Sequence, residues 1–144
     1  NLKLSYKNWD FGFNGHGSLG YMVFNDFASN NSTAYFDVNA GNLPNFATAV
    51  KRTGFTQISA DYQFISDFYI EDASFFRMDD INLGYTFKEI GNWQGNIRVA
   101  ASCQNVFVLT NYSGIDPEIN STDGVDRTFW PRPRTFSVRL NVNF

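Results

Sequence analysis

The stretch Arg134-Thr-Phe-Ser-Val-Arg-Leu-Asn-Val-Asn-Phe144 decides the fold. Phe136, Val138, Leu140, Val142 and Phe144 alternate without a break with Ser137, Arg139, Asn141 and Asn143. Successive side chains of a β-strand point to opposite faces, so this strand has one apolar and one polar face. Lipid on one side and lumen water on the other suit that pattern. A final aromatic residue suits the closing strand of an outer-membrane β-barrel. Eleven residues at about 3.3 Å each, tilted by about 40–45°, span roughly 25 Å, the height of the apolar band of such a barrel.

The same alternation recurs upstream and predicts an all-β, antiparallel transmembrane β-barrel segment of about five strands, near 1–7, 9–21, 74–87, 96–109 and 134–144. Leu2, Leu4 and Tyr6 share one face of the first, and Trp9, Phe11, Phe13, Leu19 and Tyr21 one face of the second. Ile81, Leu83, Tyr85 and Phe87 do so in the third, and Ile97, Val99, Ala101 and Cys103 in the fourth. The third strand loses phase upstream, because Phe76 and Met78 have the wrong parity for Ile81. A bulge would restore it. The preferred reading is that the strand has already risen above the membrane rim there, since Asp79 and Asp80 facing lipid would be costly.

Lys7-Asn8 and Lys88–Gly95 read as short turns, and about 22–73 and 110–133 as long connections. Short and long alternate, as periplasmic turns and extracellular loops do in outer-membrane barrels. Tyr6, Trp9, Tyr85, Phe87, Trp93 and Phe144 mark one membrane boundary, Tyr21 and Phe107 the other. Residues 55–64 alternate as well and are expected to stand above the membrane as a hairpin.

Composition agrees. Aromatics make up 18% of the 144 residues, yet the mean hydropathy is -0.30, so strands and polar loops outweigh an aliphatic core. A net charge of -3 with scattered Lys and Arg offers no nucleic-acid surface. Cys103 is the only cysteine, which excludes an internal disulfide, and His16 is the only histidine, which excludes a His-rich metal site. No apolar run reaches the roughly 18 residues of a membrane-spanning helix, a test that barrel strands escape. The chain opens in mid-pattern with no signal peptide, as a piece of a longer polypeptide would.

Three motifs carry a family resemblance. They are Tyr69-Ile-Glu-Asp-Ala-Ser-Phe-Phe-Arg-Met-Asp-Asp-Ile-Asn-Leu-Gly-Tyr-Thr-Phe87, then Ile97–Glu118 with its Tyr112-Ser-Gly-Ile-Asp-Pro turn, then Asp126-Arg-Thr-Phe-Trp-Pro-Arg-Pro-Arg-Thr-Phe136 leading into the last strand. In this order they resemble the C-terminal part of SusC/RagA-type TonB-dependent outer-membrane transporters. The resemblance covers 69–144 closely and 1–21 by pattern alone. It implies a 22-stranded barrel with an N-terminal plug, and import of oligosaccharides, peptides or similar large nutrients energised through TonB. It further implies a SusD-like surface lipoprotein as partner, the barrel-assembly machinery during biogenesis, and a Bacteroidota source.

No catalytic constellation is present, and neither an enzyme nor a bound cofactor is expected. Asp10, Asn14, His16, Ser18, Asn82, Arg98, Ser102, Gln104, Arg139 and Asn141 are the candidates for the lumen face. Contact with the plug is the plainer role for them, contact with substrate the sharper one. Asp116, Glu118, Asp123 and Asp126 are weak candidates for a loop calcium site; solvated loop carboxylates are the default and the spacing is not that of an EF-hand. Val138, Leu140, Val142 and Phe144 form the expected C-terminal assembly signal, so a charge at Phe144 should impair assembly before transport. Two alternatives remain. One is a soluble β-sandwich that binds carbohydrate through exposed aromatics such as Trp130, Tyr35 and Phe36; the other is an outer-membrane fragment captured as a barrel-assembly substrate.

Overall fold

A computed structural model describes residues 1–31, 66–90, 93–119, 121–127 and 130–143. Phe144, Tyr35, Phe36 and the expected 55–64 hairpin lie outside the described residues. In chain order the strands are β1 (Leu2–Tyr6), β2 (Trp9–Ser18), β3 (Met22–Asn25), β4 (Ile70–Asp72), β5 (Phe75–Ile90), β6 (Trp93–Thr110), β7 (Val125–Asp126) and β8 (Thr135–Asn143). Helix α1 (Asp26–Asn31) follows β3, and a 3-10 turn at Asp67–Tyr69 precedes β4. The chain divides into two compact units, one of Asn1–Ser18, Phe75–Thr110 and Arg132–Phe144, the other of Leu19–Ser74 and Asn111–Pro131.

The first unit is one five-stranded antiparallel sheet in the order β1-β2-β5-β6-β8. Its register makes the two faces explicit. Leu4, Phe11, Leu83, Ala101 and Val138 pair in a row across all five strands. The next row, on the other face, is Ser5, Asp10, Gly84, Ala100 and Arg139. Lys7 closes the first hairpin at a φ of 54°, and β5 extends that ladder into the turn through Thr86 N–H donating to the Asn8 carbonyl at 2.9 Å.

The lost phase is a bulge. β5 pairs Asp80 with Asn14 and Met78 with Gly15, so Asp79 is extra, and β6 places Asn105 and Val106 opposite it. One inserted residue flips every side chain beyond it, which returns Phe76 and Met78 to the face of Ile81 and Leu83. The expectation that the strand simply rises past the rim without a bulge is therefore corrected. Its two wrong-parity residues are in phase after all. Asn105 takes a φ of 51°, a left-handed conformation that Asn tolerates better than most residues.

β2 stops at Ser18, short of the alternation that reached residue 21, because Gly20 turns the chain at a φ of 74°. Tyr21 accordingly leaves the predicted aromatic boundary and packs against the core of the second unit. β5 runs to Ile90 and β6 starts at Trp93, so the strands take in most of the predicted 88–95 turn.

The apolar face of this sheet is open. Phe136 and Val138 are 75% and 79% exposed, and Leu4, Leu83 and Leu140 are exposed with them. A β-sandwich would pack a second sheet there, and the first unit contains none.

Among the described residues the second unit holds a small three-stranded sheet, β4-β3-β7, whose β3–β7 pair is parallel. Val23, Ala73 and Tyr112 form its core, with Tyr21 and Ile119 packed on them. Asn25 begins α1 as its N-cap, its side-chain oxygen accepting from Ala28 N–H at 2.9 Å. Its amide also donates to Glu71 Oε1 at 3.0 Å and to Ser113 Oγ at 3.2 Å, so one buried side chain ties three segments together. Strands of two to four residues are too short to announce themselves by alternation.

Candidate functional site

The polar face of the five-stranded sheet carries the chemistry. Asp10, Asn14, His16, Ser18, Asn82, Arg98, Ser102, Gln104, Arg139 and Asn141 all lie on it, as the pairing of β2, β5, β6 and β8 requires. The structure brings some of them into contact. Arg98 on β6 reaches over β5 to Asp10 on β2 in a two-pronged ion pair, Nε to Oδ1 at 3.0 Å and Nη2 to Oδ2 at 2.5 Å. The strand between them offers Gly84 at that point. A Cβ there would stand 2.5 Å from Arg98 Nη2 and from Asp10 Oδ1. A glycine inside a strand signals such a close approach, so this member of the site was readable in principle.

Thermodynamic coupling tests the arrangement. Asp10→Asn in the full-length protein is expected to cost about 1 kcal/mol or less, the range of a partly exposed ion pair. In a Gly84→Ala background the same change should cost almost nothing, because the added methyl has already parted the pair. Additive losses in melting of the detergent-solubilised protein would count against the bridge.

At the bulge, His16 Nδ1 meets Asp79 Oδ2 at 2.7 Å, and the imidazole stands edge-on to Phe75 with ring centroids 5.4 Å apart. Arg77, 3% exposed, donates to Asn105 Oδ1 at 2.8 Å, and Asn105 in turn donates to the Arg132 carbonyl at 2.6 Å. That chain of contacts pins the approach to β8 onto β5 and β6. Sequence reading missed Asp79, Arg77 and Asn105 as partners because a bulge leaves no periodic signal.

A second feature lies nearer the middle of β6 and β8. A hollow of about 620 Å³ opens over Ala100, Ser102 and Ser137, with Arg98, Arg139, Asn82 and Gln104 around it. Arg98 is already paired with Asp10, whereas Arg139 forms no ion pair among the described residues.

The acidic loop residues do not converge. Asp126 is buried and accepts from Tyr112 Oη at 2.7 Å, Asp116 accepts from Glu118 N–H at 3.0 Å, and Asp123 holds Ser121, Val125 N–H and Arg127. Among the described residues no three His, Cys, Asp or Glu side chains are grouped to hold a metal. The Ser121 hydroxyl, then Arg127, keep the Asp123 carboxyl well below the usual range. Its contribution to the turn is therefore present above the usual carboxylate pKa and is lost as pH falls through the lowered value. Val138, Leu140 and Val142 lie on the opposite, apolar face, in register with Ala101, Val99 and Ile97.

No protein-family model matches the chain. TonB-dependent receptor SusC of Bacteroides thetaiotaomicron is 38% identical over 151 aligned residues that take in 99% of this chain. The chain belongs to the SusC/RagA family of TonB-dependent receptors. It spans 14% of the length of SusC and 16% of TonB-dependent receptor P3 of Formosa agariphila, to which it is 30% identical over its whole length. Its fold matches that of the RagAB peptide transporter with a TM-score of 0.71 at 20% identity, covering 97% of this chain and 16% of that one. The closed-closed state of the RagAB peptide importer gives a TM-score of 0.66 at 17% identity, with the same coverage. For a SusC/RagA-type chain an antiparallel sheet with two unlike faces is a piece of barrel wall, and its unpaired edges need strands from elsewhere in the protein.

Proposed function

We propose that the chain builds part of the wall of an outer-membrane importer, with lipid on its apolar face and the aqueous lumen on its polar face. What supports this reading is the phase of the sheet: a bulge at Asp79 returns Phe76 and Met78 to the apolar face, from which an unbulged strand would have turned them away. A soluble sheet of this size would cover such a face. The long connections are then extracellular loops, and the whole protein takes up large nutrients such as oligosaccharides or peptides, driven through TonB and assisted by a SusD-like surface lipoprotein. The similar RagAB is a peptide transporter, which makes peptides the first class to try.

Site-directed spin labelling of the full-length receptor tests the orientation. In a Cys103→Ala background, nitroxides attached at Val138→Cys and Leu140→Cys should be relaxed by oxygen, which concentrates in lipid. They should be poorly relaxed by a water-soluble nickel chelate. Chelate-dominated relaxation at both sites would sink the reading. Deletion of the full-length gene should abolish TonB-dependent growth on one large nutrient class; unchanged growth on oligosaccharides and peptides alike would argue against import.

A further inference from the structure

We propose that the hollow between Arg98 and Arg139 is a subsite for a carboxylate group. Its floor is made of Ala100, Ser102 and Ser137, whose short side chains leave about 620 Å³ beside two guanidinium groups. Asp10 neutralises one of them and holds it in place through two contacts. The other, Arg139, is left with its fork of donors and no carboxylate among the described residues. Among the residues that line the hollow the charges are Arg98 and Arg139, and Asp10 offsets the first, which leaves the Arg139 guanidinium to meet a monoanion. A planar guanidinium matches a carboxylate with two parallel hydrogen bonds, and hydroxyl and amide side chains at Ser102, Ser137, Asn82 and Gln104 can take the remaining contacts. The proposal rests on the polar face meeting water.

The carboxylate can come from a free solute or from another part of the same polypeptide, and one experiment separates the two. The full-length receptor carrying Cys103→Ala and Ser137→Cys is treated in outer-membrane vesicles with sulfonate-bearing and trimethylammonium-bearing methanethiosulfonates. With a free site the sulfonate reagent should react roughly three- to tenfold faster than the cation, the scale of one nearby charge in a partly screened site. Arg139→Gln should bring that ratio to about one, while Arg139→Lys should keep most of it but lose protection by excess butyrate, because only the fork holds both oxygens. Butyrate, a monoanion, should protect where sodium chloride of equal ionic strength does not.

If the receptor itself supplies the carboxylate, both reagents should be excluded with Arg139 in place and admitted with Arg139→Gln. A ratio near one with Arg139 present overturns the proposal. So does a ratio unchanged by Arg139→Gln, or a cysteine silent in both backgrounds. Failure of the wall reading would look different, with the nickel chelate reaching Val138 and Leu140.

Discussion

Leu140→Arg in the full-length receptor should cost about 2–4 kcal/mol, the penalty for a cation on the lipid face near the bilayer midplane. Leu140 lies on the open apolar face, paired with Val99, and has polar neighbours on either side in the chain. Its neighbour Asn141 faces the other way and pairs with Arg98. Asn141→Arg should therefore cost about 1 kcal/mol or less, the scale of like charges set opposite each other on neighbouring strands. The measurement is the yield of folded receptor in the outer membrane and its melting in detergent. Equal losses for the two variants would mean that the two faces do not meet different solvents, and the barrel reading would fail with them.

Tyr112→Ala should remove about 3–5 kcal/mol from the second unit, as deletion of a large buried aromatic does. Tyr112 is 6% exposed, packs with Val23 and Ala73, and donates a hydrogen bond from its hydroxyl to buried Asp126. Gly114 lies against its ring so closely that a Cβ there would overlap the aromatic carbons. Tyr112→Phe keeps the ring and loses the hydrogen bond, for a smaller loss of about 1–3 kcal/mol. Amide hydrogen exchange of β3, β4 and β7 reads the difference; protection unchanged in both variants would contradict the packing. Burial, then the Asp126 contact, push the Tyr112 hydroxyl far above its usual pKa. Because the folded value is raised, its contribution should be intact below about pH 10, the ordinary tyrosine value, and lost as pH climbs above that.

Much of the first unit was legible because a barrel strand writes its two environments into alternate residues. β8 is the plainest case, since Phe136 to Asn143 never breaks step. β5 shows the limit. Phe76 and Met78 looked misplaced because a period-two pattern carries no mark for an inserted residue; only the pairing with β2 exposes Asp79 as the extra one, and β6 answers it with two residues, Asn105 and Val106. The second unit was hardly legible. Its strands are short, its core mixes Tyr112 and Val23 with buried Asn25 and Asp126, and its contacts join residues 46 and 88 positions apart. Asn25 ahead of Asp26-Phe27-Ala28, an N-cap residue before a helix, is a cue that a reading by alternation passes over.

Sequence by itself determined that this chain contributes two-faced strands, which residues share each face within a strand, and, through its motifs, the family they resemble. Those properties are local, because the pleat alternates side chains whatever the neighbouring strand is. Tertiary structure alone decided which strands are neighbours and in what register. That set Asp10 beside Arg98 over Gly84, His16 beside Asp79, and left Arg139 unpaired by any described carboxylate. Contacts between strands depend on register and on bulges, and a one-residue slip in either would have redirected every side chain beyond it.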